Sequence, residues 1–305
     1  MQAYLYFAIA LLAAPLFPGF ILKTKAFFGG KKGPPLLIKY YTVAKLLRKG
    51  SVYSTSTTLL FKLGPVISLA AALMALTFLP LAGQPAILSF EGDVILVLYL
   101  LGLGRFFTIT AAMDTASPFE GMGAAREAYF PILCEATLFM VLILLYLLTG
   151  KLSLSAHFAG STPLDLWNTA AAPLLFTVLA LFVVMLTEGS RVPVDDPATH
   201  LELTMIHEVM VLDHSGPDLA LIELGSFLKL LFYAALIAPL ACPVQLAHPA
   251  ATAGVFLGAL ALIYVVIGIT ESVMARLRMD RVPMFILTSF ALAFFAAIIS
   301  LEFVA

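Results

Sequence analysis

The run NTAAAPLLFTVLALFVVMLTE, residues 168–188, decides the architecture of this chain, because about 20 apolar residues are enough to cross a bilayer as a helix. The charged segment EGSRVPVDDPATHLELTMIHEVMVLDHSG, residues 188–216, follows it directly. Across all 305 residues, 62% are hydrophobic, 11% are charged and the mean hydropathy is +1.04. A bilayer core leaves no water for unpaired backbone groups, so this composition predicts an all-α polytopic membrane protein.

Apolar runs of similar length recur along the whole chain, which we expect to form one transmembrane domain over residues 1–305. We predict about eight transmembrane helices, at about 2–22, 64–82, 93–113, 131–149, 168–188, 220–242, 251–271 and 284–304. The connections that we expect in the cytoplasm are 23–63, 114–130, 189–219 and 272–283.

The basic residues between these spans are distributed very unevenly. Fourteen Lys and Arg residues lie in the odd-numbered connections, and only Lys151 lies in the even-numbered ones. The positive-inside rule therefore places the odd connections in the cytoplasm and both termini outside. The net charge of −1 makes nucleic acid an unexpected partner.

The first connection carries most of the basic residues. After Gly33-Pro34-Pro35, apolar and aromatic side chains recur at helical spacing up to Leu47, which predicts an amphipathic helix on the cytoplasmic face. Two functions fit it: interfacial anchoring by lysines, or docking of a cytoplasmic partner. The candidate docking residues are Lys31, Lys32, Lys39, Lys45 and Arg48.

Several ionisable residues lie inside or at the ends of predicted spans, where charge is costly and usually functional. Arg105, Glu135 and Glu188 are the strongest candidates for an ion pathway. Glu223 and Lys229 are interpreted as side chains that reach the interface instead. Glu271 ends the seventh span.

The third connection, MDTASPFEGMGAARE, residues 113–127, predicts a charged loop in which Gly121 and Gly123 allow a tight turn. It adds further candidates for the ion pathway and its charge partners, namely Asp114, Glu127 and Arg126. The loop also contains Glu120.

The fifth connection is interrupted by Pro193 and Pro197, after which a helix is predicted from Thr199. His200, His207 and His214 would share one face of that helix. Residues seven apart are about 10 Å apart along a helix, which excludes one shared metal. A stripe that titrates near neutral pH and a solvated or partner-facing stripe both stay open. No catalytic residue and no metal site is predicted, and Cys134 and Cys242 are expected to be small apolar residues.

Four blocks resemble the membrane subunit of energy-converting (group 4) nickel–iron hydrogenases and formate hydrogenlyase. That subunit is similar to the eight-helix quinone-chamber subunit of respiratory complex I. The blocks are Gly33-Pro34 followed by Lys45-Leu46-Leu47, RFFTITAAMDTASPFEGMGAARE at 105–127, EGSRVPVDD…LEL…SG from Glu188, and ESVMARLRMD at 271–280.

The resemblance implies a non-redox membrane anchor that couples electron transfer in a soluble arm to translocation of protons or sodium ions. It implies that Glu135 and Glu188 belong to a chain of buried charges. It also implies that Arg191, Asp195 and Glu202 belong to a chamber-lining loop. The implied partners are hydrogenase large and small subunits, an iron–sulfur subunit and antiporter-like subunits, in a prokaryotic cytoplasmic (inner) membrane. The nickel–iron and iron–sulfur centres would lie in those partners, and this chain would bind no cofactor itself.

The chain departs from the complex I pattern in the two loops of that chamber. Ala198 and His200 replace two usual acids, Thr42 replaces an aspartate and Lys32 replaces an arginine, which argues against a quinone headgroup site. Three alternatives stay open: a quinone-binding subunit of a complex I-type oxidoreductase, a stand-alone secondary transporter and a purely structural anchor. The sequence distinguishes neither H⁺ from Na⁺, nor the electron donor, nor the direction of the reaction.

Overall fold

The computed structural model describes residues 2–159, 162–197, 204–244, 246 and 248–304. Every regular element within these ranges is helical. The helices are α1 (Gln2–Ala13), α2 (Phe17–Phe28), α3 (Ile38–Leu47), α4 (Leu59–Thr77), α5 (Asp93–Asp114), α6 (Pro118–Thr149), α7 (Leu154–Phe158), α8 (Thr162–Glu188), α9 (Gly216–Ala241), α10 (Pro249–Val273) and α11 (Val282–Val304). A short 3-10 turn, Glu208–Val211, precedes α9.

Seven of these helices are long and apolar enough to cross a membrane, and α1 with α2 adds an eighth, broken span. The predicted all-α polytopic class is therefore confirmed. The placement of both termini outside, and of the odd connections in the cytoplasm, stays a prediction.

The first span is one helix in the prediction and two in the structure. The axis bends by 42° between α1 and α2. Pro15 lies in the break and Pro18 at the start of α2, and proline lacks the N–H that a continuous helix needs. The bend therefore has a local cause.

Prolines also explain the shapes of α8 and α9. Ala170 leaves the helical conformation three residues before Pro173, so α8 is kinked. Pro239 lies in the last turn of α9, which ends at Ala241, before Pro243. Both effects agree with the sequence prediction.

The core is organised around α9. Two thirds of its membrane-length window is buried (67%), and the helix packs against α3, α4, α8 and α10. A helix that is apolar on all sides belongs in the interior of a bundle. Any polar side chain on α9 is consequently brought face to face with the surrounding helices.

The loop predicted at 114–130 is wrong over most of its length. Helix α6 begins at Pro118, because proline at the first helical position has its backbone angle already set. Gly121 and Gly123 therefore lie inside a helix and form no tight turn. At Gly123 a side chain would overlap Val209, so this glycine allows the fifth connection to approach α6 closely.

A helix does form in the first connection, at Ile38–Leu47. Val43 is its buried residue and faces the bundle, whereas Tyr41 and Leu47 are exposed. Exposed apolar side chains beside lysines are typical of a helix at a membrane surface or under a partner.

Candidate functional site

Arg105 of α5 is the centre of a buried group of charges, with a side chain only 10% exposed. Its Nη1 lies 2.6 Å from Glu135 Oε1 and its Nη2 lies 2.7 Å from Glu188 Oε1. Its Nε lies 3.8 Å from Glu127 Oε1. One guanidinium therefore joins carboxylates from α6 and α8, and its planar set of donors suits this arrangement.

Lys229 of α9 completes the ion pairing of Glu188. Its Nζ lies 2.7 Å from Glu188 Oε2, and the Glu188 side chain is fully buried between the two cations. The interpretation of Lys229 as an interfacial side chain is thus wrong. Its partner comes from another helix, so the sequence of α9 alone could not reveal it.

His207 connects the fifth connection to this group, since its Nδ1 lies 3.1 Å from Glu127 Oε2. Burial lowers the pKa of His207, but the Glu127 carboxylate outweighs burial and raises it above the ordinary value. We call Arg105, Glu127, Glu135, Glu188, Lys229 and His207 the charge network. The sequence prediction named four of these residues as pathway residues or charge partners and left Lys229 and His207 out.

A second cluster surrounds Glu271 at the end of α10. Its carboxylate lies 2.8 Å from Lys25 Nζ and 3.5 Å from Arg191 Nη1. Arg191 therefore pairs with Glu271, and not with the acids that it was expected to tune. Only the position of Glu271 in an apolar span signalled it beforehand.

Asp195 has a role other than the expected ion pathway. Its carboxylate accepts hydrogen bonds from the backbone N–H groups of Asp196, Ile206 and His207. It also accepts one from Arg276 Nη2 at 2.9 Å. A carboxylate with so many donors fixes a loop, so Asp195 holds the two arms of the fifth connection together.

Asp114 and Arg126 also lie outside the charge network. Asp114 accepts hydrogen bonds from the backbone N–H and hydroxyl of Thr58, at the start of α4. Arg126 donates from Nη1 to the carbonyl of Met205 at 2.7 Å. Both residues therefore fasten connections to helices. Glu202, the remaining candidate, lies outside the described residues.

The candidate docking residues divide into two groups. Lys39 is turned towards the bundle, with its Nζ 3.4 Å from Glu223 Oε2 and 5.4 Å from the centre of the Phe227 ring. The other four are exposed: Lys31, Lys32, Lys45 and Arg48.

A cavity of about 260 Å³ lies between the two charge clusters. It is large enough for several water molecules, each of which occupies about 30 Å³ in the liquid. Its charged lining comprises Lys25, Arg105, Glu127, Glu188, Arg191, His207, Lys229 and Glu271, together with Lys39, Glu208 and Glu223. Water and ionisable groups in one enclosed space are the elements of a proton path. Among the described residues no cluster of His, Cys, Asp or Glu has the arrangement of a metal site.

The predicted histidine stripe does not form. His207 and His214 lie in turns around the 3-10 turn, not on one helix, and His200 lies outside the described residues. The His214 ring is buried and stacks on Phe61, with ring centres 3.9 Å apart and planes 6° apart. His207 and His214 thus have separate environments.

We expect His214 to make the stability of the protein depend on pH. Burial lowers the pKa of His214 to about 4, outweighing Asp218 and Asp213, which raise it. The unfolded chain takes up this proton at pH about 6.5. The stability contributed by neutral His214 is therefore complete above pH about 6.5 and is lost as the pH falls towards about 4.

Thermal unfolding of the detergent-solubilised protein at several pH values tests this expectation. His214→Phe keeps an aromatic ring against Phe61 and should flatten the pH dependence between these limits. His248→Gln, at an exposed histidine, should leave it unchanged. Equal pH slopes in wild type and His214→Phe would show that His214 does not titrate as described.

The fold and the site define a multi-pass helical membrane protein with ion pairs buried among its spans, a class in which such charges mark ion pathways. The chain belongs to the NADH dehydrogenase family, whose sequence profile matches residues 1–301.

Among relatives of known identity, the chain is 33% identical to hydrogenase-4 component C of Escherichia coli K12, over 88% of this chain and 86% of that protein. It is 28% identical to formate hydrogenlyase subunit 4 of the same organism, over 97% and 95%. An NADH-quinone oxidoreductase subunit of Rickettsia typhi is 26% identical over 63% and 56%. The predicted resemblance is thus confirmed.

The fold also matches a chain of the membrane-bound sulfane sulfur reductase (MBS), an archaeal respiratory membrane complex. The TM-score is 0.81 with 21% identity, over 98% of each chain. A multi-pass protein of a prokaryotic cytoplasmic membrane agrees with all of these relatives.

Proposed function

We propose that this chain is the membrane anchor and ion-coupling subunit of a multi-subunit hydrogenase-type complex. It would link electron transfer in a docked soluble arm to the translocation of protons or sodium ions. The observation that carries this proposal is Arg105, which holds carboxylates of α6 and α8 beside Lys229 of α9. Buried and connected ion pairs of this kind are costly unless they serve transport.

The charge network has an opening towards a neighbouring subunit. The Glu135 side chain is 40% exposed although it lies in the middle of α6, a membrane-spanning helix. A carboxylate facing lipid at this depth costs several kcal/mol by the measures applied to membrane helices, about 2.5–3.5 kcal/mol or more. An antiporter-like membrane subunit that covers Glu135 would remove that cost and continue the ion path.

The soluble arm would dock on the basic first connection. Lys31, Lys32, Lys45 and Arg48 are exposed there, and they would attract the hydrogenase-like and iron–sulfur subunits that carry the nickel–iron and iron–sulfur centres. This chain would contribute position and charge and no redox centre. The names of the hydrogenase-4 and formate hydrogenlyase relatives support this assignment.

Charge reversal of the docking surface tests the anchoring half of the proposal. Combined replacement of Lys31, Lys32, Lys45 and Arg48 by Glu should lower the amount of soluble arm that copurifies with the tagged chain by about tenfold or more, because like charges across an interface cost several kcal/mol. The chain itself should stay in the membrane at its normal level. Protein quantification after affinity purification measures both quantities.

Lys151→Glu is the control, since Lys151 is exposed in a connection predicted on the opposite side. It should leave the arm bound. Full retention of the arm by the fourfold variant would contradict docking at this surface. Reduction of a menaquinone analogue by the purified wild-type complex would instead favour the quinone-binding alternative.

A further inference from the structure

We propose that His207 is the group through which protons enter and leave the charge network, and that the loop carrying it controls this exchange. The inference rests on the proposed ion-coupling function and adds to it a specific residue and a mechanism of control. The protonated imidazole would release its Nδ1 proton to Glu127 or to water in the cavity. It would recover a proton from the cavity in the opposite step.

The charges of the network support this role. Three carboxylates, those of Glu127, Glu135 and Glu188, face two cations, Arg105 and Lys229. With His207 neutral the group has an excess of one negative charge, and with His207 protonated it is balanced. Unbalanced charge is costly in a low-dielectric interior, so the protonation of His207 is coupled to the charge of every other member.

The position of His207 also suits proton exchange. Its side chain is 26% exposed and lines the cavity, whereas the Glu188 side chain at the far end of the network is fully buried. A group that touches both water and a buried carboxylate is placed to transfer protons between them. The short Nδ1–Glu127 contact provides the connection inwards.

The loop fixes the imidazole through two devices. The backbone N–H of His207 donates to Asp195, which Arg276 holds from the connection between α10 and α11. Gly123 lies one turn before Glu127 on α6 and lets the carbonyl of Ile206 and the side chain of Val209 pack closely. A movement of Asp195 relative to Arg276 would therefore shift His207 relative to Glu127.

Titratable groups from several elements face His207. Burial lowers its pKa, Glu127 of α6 raises it, Lys229 of α9 lowers it, and Asp195 of the loop raises it. Glu208 is its neighbour in the chain, and Arg105 of α5 lies behind Glu127. Because Glu127 dominates the attraction, withdrawal of the loop from Glu127 would lower the pKa of His207 and release its proton.

The experiment uses the whole complex in sealed vesicles and measures electron transfer and coupled ion transport between pH about 5 and 8, the range in which histidine titrates. His207→Gln keeps a hydrogen-bonding side chain but removes the titration. We expect coupled transport to fall by about tenfold or more with a flat pH profile, while electron transfer and the content of soluble arm stay within about twofold. His248→Gln, at an exposed histidine outside the network, should match wild type.

His207→Lys provides a second variant in case the first fails to assemble. It keeps a positive charge beside Glu127, so the network stays balanced and the complex should assemble, but a permanently charged lysine should not exchange protons in this range. Wild-type transport and pH profile in either assembled variant would overturn the inference. Loss of transport in Glu188→Gln with normal transport in His207→Lys would overturn it while leaving the proposed function intact. Normal transport in both would overturn the proposed function as well.

Discussion

Replacement of Arg105 by Met is expected to be the most destabilising single change in the membrane domain. It removes the guanidinium that faces Glu127, Glu135 and Glu188, and breaking a buried ion pair by deleting one partner costs about 3–5 kcal/mol. Methionine keeps a similar length of apolar side chain, so the lost charge accounts for the effect. The thermal midpoint of the detergent-solubilised complex and its yield in the membrane measure it.

A control and a rescue sharpen this test. Arg278→Met removes a guanidinium that is 77% exposed, and it should be nearly neutral because exposed ion pairs contribute about 0–1 kcal/mol. Without Arg105, Glu188 still has Lys229 and Glu127 still has His207, which leaves Glu135 as the unpaired acid. Arg105→Met combined with Glu135→Gln should therefore recover part of the loss. Equal thermal midpoints for Arg105→Met and Arg278→Met would contradict the network.

Replacement of Glu188 by Gln is expected to abolish coupled ion transport while the complex still assembles. Glutamine has nearly the shape of glutamate and can still accept hydrogen bonds from Arg105 and Lys229. It cannot carry the negative charge that both cations need. Formation of an ion gradient by vesicles, followed with H⁺- and Na⁺-sensitive dyes, measures the loss.

The matched control for this change is Asp280→Asn, an acid-to-amide replacement at an exposed ion pair with Arg278. It should transport at the wild-type rate. Loss of transport in both variants would indicate a general effect of altered charge on the protein rather than a pathway through Glu188.

The sequence predicted the class of fold and the centre of the site for one physical reason. Charges such as Arg105, Glu135 and Glu188 stand out within apolar runs, and apolar runs identify helices. The structure adds that one guanidinium joins both acids. The role of these acids in ion movement stays a prediction.

The residues that sequence reasoning missed have partners on distant elements. Lys229 was interpreted as interfacial because its partner, Glu188, lies on another helix. His207 was assigned to a helical stripe because its spacing from His214 fits seven residues, whereas Asp195 and Gly123 fold this loop against α6. Periodicity reports local structure, and such tertiary contacts leave no mark in it.

The number of ions transported per pair of electrons, measured in sealed vesicles containing purified complex, tests the central claim most directly. Wild type and Glu188→Gln are compared at equal content of soluble arm and equal rate of electron transfer. The account predicts a constant ratio in wild type and a ratio near zero in Glu188→Gln. The wild-type ratio in Glu188→Gln would contradict it.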